Sequence, residues 1–182
     1  MFLGVLSNHV VTEVGATDLL GMTPLHYASG EGHLPVVGFL VGEGAAKEAT
    51  SNDVWTPLHC ASVRGHLPVV EFLLREGSNM EAKDEDDSTS LQSASKFGHL
   101  SVVELLVREG ADMEARDDGG MTSLHLASAE GHLPVVEFLV EKGADKETRD
   151  VEDMTPRDVA EHRGEDAIVS FFDGMQGPAQ NY

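Results

Sequence analysis

Nine histidines, one cysteine and a run of four acids at 84–87 are the residues of this chain whose types could do chemistry. Histidine binds zinc and moves protons near neutral pH. Cysteine attacks electrophiles as a thiolate. Closely spaced carboxylates can hold calcium. Each use demands convergence. Zinc ligands stand about 2 Å from the metal, and a nucleophilic cysteine needs an activating base in an electropositive site.

The spacing argues against all three uses. Seven of the nine histidines recur in two columns at 33-residue steps: His26, His59 and His125, then His33, His66, His99 and His132. Copies one period apart belong to successive layers, about 10 Å from each other when helices pack normally, so they cannot share one ion. His9 and His162 stand outside the columns with no ligand set around them. Cys60 shares its column with Tyr27, Ser93 and Leu126. Its sequence neighbour His59 would point about 100° away on a helix, so Cys60 reads as a small buried side chain. Asp84, Glu85, Asp86 and Asp87 lack the turn glycine and the distal bidentate glutamate of an EF-hand loop. They read as a solvated acidic tip able to meet a basic partner. No phosphate-cradling glycine loop, nucleophile elbow or HExxH occurs. The expectation is a non-catalytic chain with no cofactor and no metal.

Composition narrows the partners. Twelve Lys and Arg against 32 Asp and Glu give a formal charge of −20 over 182 residues. Such a field repels phosphate backbones, which speaks against nucleic acid and for a basic protein partner. Hydrophobic residues make up 41% and aromatics only 5%, so the core must be largely aliphatic. No apolar run is long enough to span a bilayer. The opening "MFLGVLSNHVV" lacks the basic flank of a signal peptide. A single cysteine suits a reducing compartment. A cytoplasmic or nuclear monomer is expected.

The elements that carry these residues follow from one repeated sentence. "TPLHCASVRGHLPVVEFLLREG" from Thr56 and "TSLHLASAEGHLPVVEFLVEKG" from Thr122 agree at 15 of 22 places. Thr23, Thr56, Thr89, Thr122 and Thr155 keep a step of 33. So do Gly32, Gly65, Gly98, Gly131 and Gly164, and again Gly44, Gly77, Gly110 and Gly143. Within one unit, Thr56 can cap a helix whose first turn holds Pro57. Gly65 ends that helix, and Leu67, Val70, Leu73 and Leu74 recur at helical spacing before Gly77 stops a second. A polar stretch with room for an extended finger leads to the next Thr. Neither helix can bury its apolar side alone, so the units must stack.

The period and "TPLH.AS..GHLPVVEFL...GA" resemble the ankyrin repeat from Asp18 to about Asp173. The resemblance implies an all-α solenoid of about five helix–turn–helix units with projecting hairpin fingers. The frames are 18–50, 51–83, 84–116, 117–149 and a shortened 150–173 acting as a C-terminal cap. Residues 1–17 read as an N-terminal cap or truncated repeat, and 174–182 as a flexible tail. Repeat three departs most, with Gln92 in the histidine column and Asp87 in place of the finger glycine, and is expected to be the weakest unit. Repeat five places Arg157 where Leu25, Leu58, Leu91 and Leu124 stand. The triplets Glu81–Lys83, Glu114–Arg116 and Glu147–Arg149 suggest a weak charge ladder between layers. Glutamate also stands where the family often carries a hydroxylated asparagine, which implies that these repeats are not substrates there.

The resemblance further implies a protein-interaction module that binds through finger tips and the concave face of the first helices. The alternative is a structural spacer, or a fragment of a larger ankyrin protein. Function must then lie where the copies differ. One finger column reads Met22, Trp55, Ser88, Met121, Met154, and Phe97 stands where other copies carry charge. Met and Trp anchor interfaces well. The expected groove has Trp55, Phe97 and Met121 as anchors, Arg64 beside them, and a rim of Asp53, Glu85, Asp86 and Asp118. A basic peptide or protein segment carrying large apolar residues would complement it.

Overall fold

A computed structural model describes residues 14–175. Most of the segment read as an N-terminal cap, and most of the tail, lie outside the described residues. Ten helices form five pairs among the described residues, and no strand occurs there. The first helices are α1 (Pro24–Gly30), α3 (Pro57–Val63), α5 (Ser90–Lys96), α7 (Ser123–Ala129) and α9 (Pro156–Arg163). The second helices are α2 (Leu34–Gly42), α4 (Leu67–Arg75), α6 (Leu100–Arg108), α8 (Leu133–Glu141) and α10 (Asp166–Met175). First helices stack in one row, second helices in another, and each pair packs on itself. Helix α10 runs to Met175 and so takes in the first two residues of the expected tail.

Each first helix is only 7 or 8 residues long, too short to be stable alone in water. Its start is secured by a reciprocal cap. The threonine side chain takes the N–H of the third helical residue, whose own side chain returns to the threonine N–H. Packing does the rest. Leu25, Leu58, Leu91 and Leu124 are at most 1% exposed, as are Val70, Val103 and Val136 from the second helices. Burial of one such side chain stabilises by about 1.5–3 kcal/mol. The last described unit is more polar in the leucine column. Arg157 replaces the buried leucine and makes a two-pronged ion pair with Asp173, with Nε 2.6 Å from Oδ1, plus a contact to Glu161.

The fingers are five-residue hairpin turns. In each, the first N–H reaches the fifth carbonyl and the fourth N–H returns to the first carbonyl, as in Asp84 N–H to Ser88 and Asp87 N–H to Asp84. The fourth residue must enter the left-handed region. Gly21 and Gly120 do so freely, but Val54, Asp87 and Asp153 are held there at φ 59, 58 and 62. A β-branched valine is the most strained of the three. Val54→Gly is therefore expected to stabilise the protein by about 1 kcal/mol, the relief outweighing the entropy of glycine. Urea denaturation checks this; a midpoint at or below that of the wild type would remove the strain argument.

The charge ladder is not observed. Glu48, Glu81 and Glu114 instead accept the backbone N–H of Asn79, Asp112 and Asp145 in the next unit, at 3.2, 3.0 and 2.9 Å. Lys83 and Arg116 donate to the carbonyls of Arg116 and Arg149, at 3.0 and 2.7 Å. The physical reason is that the connecting loops leave peptide groups without partners. Charge-assisted bonds to those groups are worth more than exposed ion pairs.

Candidate functional site

The histidine columns serve the architecture. Nδ1 of His26 accepts the Thr23 N–H at 3.0 Å, so the ring carries its proton on Nε2 and donates to the Trp55 carbonyl at 2.8 Å. His59 joins Thr56 to Ser88, and His125 joins Thr122 to Met154, in the same way. Each imidazole thus ties its own helix start to the next finger. The second column reaches backward. His66, His99 and His132 bond the carbonyls of Gly30, Val63 and Lys96 at 2.9, 2.8 and 3.0 Å. Burial holds His26, His59 and His125 below the usual imidazole range, although bonds to backbone carbonyls and nearby carboxylates push the other way.

Repeat three keeps this scheme despite its sequence. The amide oxygen of Gln92 accepts the Thr89 N–H at 2.9 Å, and its nitrogen donates to the Met121 carbonyl at 2.8 Å. In repeat five Asp158 stands in the histidine column and closes the cap on Thr155.

Cys60 is buried, and desolvation pushes its thiol up to about 12. A thiol at that value carries almost no thiolate near neutral pH. No group of three or more possible metal ligands occurs among the described residues. No helix there is long and apolar enough to cross a membrane.

The variable residues gather into clefts along the finger and first-helix face. Met22, Trp55 and Arg64 line a cleft of about 150 Å³ with Tyr27, Glu31 and Val63, floored by Cys60. Trp55, Arg64 and Phe97 line an adjoining one of about 490 Å³ with Val63 and His99. Met121 and Met154 line a third of about 610 Å³ near Val151, His162 and Arg163. Ser88 is half-buried and lines none of these. The Met–Trp column is half-buried, and from the second finger on each last carbonyl is drawn toward the preceding unit's histidine or glutamine. Phe97 is 48% exposed. Asp53, Glu85, Asp86 and Asp118 are exposed at the tips.

Backbone bonds join the finger tips in a row: Asn52 to Leu20, Glu85 to Asp53, Asp118 to Asp86 and Val151 to Gly119. The acidic rim is therefore carried on linked backbone. Tyr27 was not singled out by the sequence reading, yet its ring walls the first cleft and its hydroxyl donates to Asp18. The available signal was that Tyr27 is the one aromatic in the column of Cys60, Ser93 and Leu126.

The family model for ankyrin repeats (3 copies) matches the chain in two overlapping placements, residues 4–84 and 76–150. No curated protein matches it. Ankyrin repeats are generally protein–protein interaction modules, and the matched span takes in four of the five helix pairs. With the stacked pairs, the threonine caps and the forward-reaching histidines in agreement, this chain belongs to the ankyrin-repeat family.

Proposed function

We propose that this chain is a non-catalytic protein-binding module that holds an extended, basic segment of a partner protein along its finger and first-helix face. The observation that carries the reading is the pair of adjoining clefts sharing Trp55 and Arg64, set under an acidic finger row. The five finger stretches, 18–22, 51–55, 84–88, 117–121 and 150–154, hold eleven acids and no Lys or Arg. Asp18, Asp84, Asp117 and Asp150 use a side-chain oxygen to brace their own turn. Asp153 pairs with Arg149 at 3.4 Å, and the other six are available to a partner. Half-buried aromatic anchors beside such a rim favour a ligand with large apolar side chains and flanking Lys or Arg.

The test is affinity capture with the full chain, followed by titration of the identified partner at low and high salt. Trp55→Ala/Phe97→Ala is expected to weaken binding at least about tenfold, the loss of one well-packed anchor or more. Raised salt is expected to slow association, as rim charges steer encounter. A partner indifferent to both changes would place the interface elsewhere on the molecule.

A further inference from the structure

The groove's two walls differ in charge. The finger wall is acidic throughout, whereas the first-helix ends carry Arg64, Lys96 and Arg163 alongside Glu31 and Glu130. Eight of the twelve Lys and Arg residues make an ion pair or donate to a carbonyl: Lys47, Arg75, Lys83, Arg108, Arg116, Lys142, Arg149 and Arg157. Among the described residues, Arg64, Lys96, Lys146 and Arg163 make neither contact; Arg64 and Arg163 line clefts of this face, and Lys96 ends the first helix between them. In a chain with 32 acids against 12 bases, a cation without an acidic partner is unexpected. Arg64 is exposed and lines both clefts that contain Trp55. Glu31 lines the first of them without forming an ion pair with Arg64.

We infer that the groove recognises a three-residue cassette in the partner segment: a large apolar side chain, a carboxylate and a Lys or Arg. The inference rests on the groove reading above. The apolar side chain seats between Trp55 and Phe97 and the carboxylate meets Arg64. The basic side chain faces Asp53, Glu85 and Asp86 on the fingers. A backbone that sends three successive side chains in three directions is the polyproline II helix, with three residues per turn. A β-strand offers only two directions. The guanidinium can grip a carboxylate with two parallel bonds, so the contact selects for charge and for planar geometry.

The probe is a displayed library of random linear peptides, panned against the full wild-type chain, Arg64→Glu, and Trp55→Ala/Phe97→Ala. Wild type is expected to enrich peptides with an Asp or Glu within two positions of a large apolar residue and a base beside them. For the best peptide, changing that acid to its amide should weaken binding to wild type at least about tenfold, but to Arg64→Glu less than about twofold, the signature of a coupled pair. Equal losses on both baits, or enriched peptides without the acid that still need Trp55 and Phe97, overturn the cassette and leave the groove standing. Enriched peptides indifferent to Trp55 and Phe97, or no enrichment at all, overturn both.

Discussion

Gly65→Ala is expected to cost about 3 kcal/mol of folding stability. Gly65 lies at φ 72, where an added Cβ costs roughly 1–2 kcal/mol by backbone strain alone. That Cβ would also stand 2.5 Å from Nδ1 of His99, a contact no real Cβ makes. The ring cannot swing aside freely, because its Nε2 is bonded to the Val63 carbonyl at 2.8 Å. Moving it breaks a tie between repeats two and three and adds roughly another 1 kcal/mol. Gly77→Ala is the internal control. It has φ 84 but nothing within 4 Å of the new Cβ, so only the backbone cost remains. Denaturant titration of both variants separates the terms. Equal losses would show that the imidazole contact contributes nothing.

Stability should fall as pH drops from about 7 towards 5, and three buried histidines should carry much of the slope. His26, His59 and His125 are held below their ordinary imidazole value by burial. The unfolded chain takes up protons once pH falls below about 6.5, while the folded chain still resists them. Protons bound are then greater in the unfolded state, so acidification favours unfolding. The limiting slope is about 1.4 kcal/mol per pH unit for each histidine in the window between the unfolded and folded values. Above about pH 7.5 these groups contribute no slope. Geometry gives the same sign: a proton on Nδ1 would face the threonine N–H that this atom now accepts. Gln92 shows the remedy within the same chain, making the same two bonds without titrating. His26→Gln/His59→Gln/His125→Gln should therefore flatten the pH dependence of thermal unfolding between pH 7 and 5. A slope unchanged in the triple variant would assign the acid sensitivity to the carboxylates.

Much of this molecule was legible from periodicity. The 33-residue step, the threonine caps and the glycine stops lie within single units. The physics that sets them acts over four or five residues: a cap bond, a left-handed turn, an apolar face at helical spacing. Stacking followed because each unit exposes an apolar side it cannot cover alone. The candidate groove was legible in part for the same reason, since Trp55, Phe97 and Met121 are conspicuous against their columns.

What required the tertiary structure was every relation between units. The triplets that suggested acid beside base turned out to bond neighbouring backbone, because the offset between layers brings loop N–H groups to the glutamates. Gln92 looked like a defect until its amide was seen to bridge Thr89 and Met121. Nothing in the sequence marks Val54, yet the turn forces it into a glycine's conformation. Tyr27 joined the groove only once its neighbours were placed. A periodic sequence determines its own repeating unit because the forces that shape the unit are local. Which groups meet across units depends on a register and an orientation that no single unit contains. Packing of all the units together decides those.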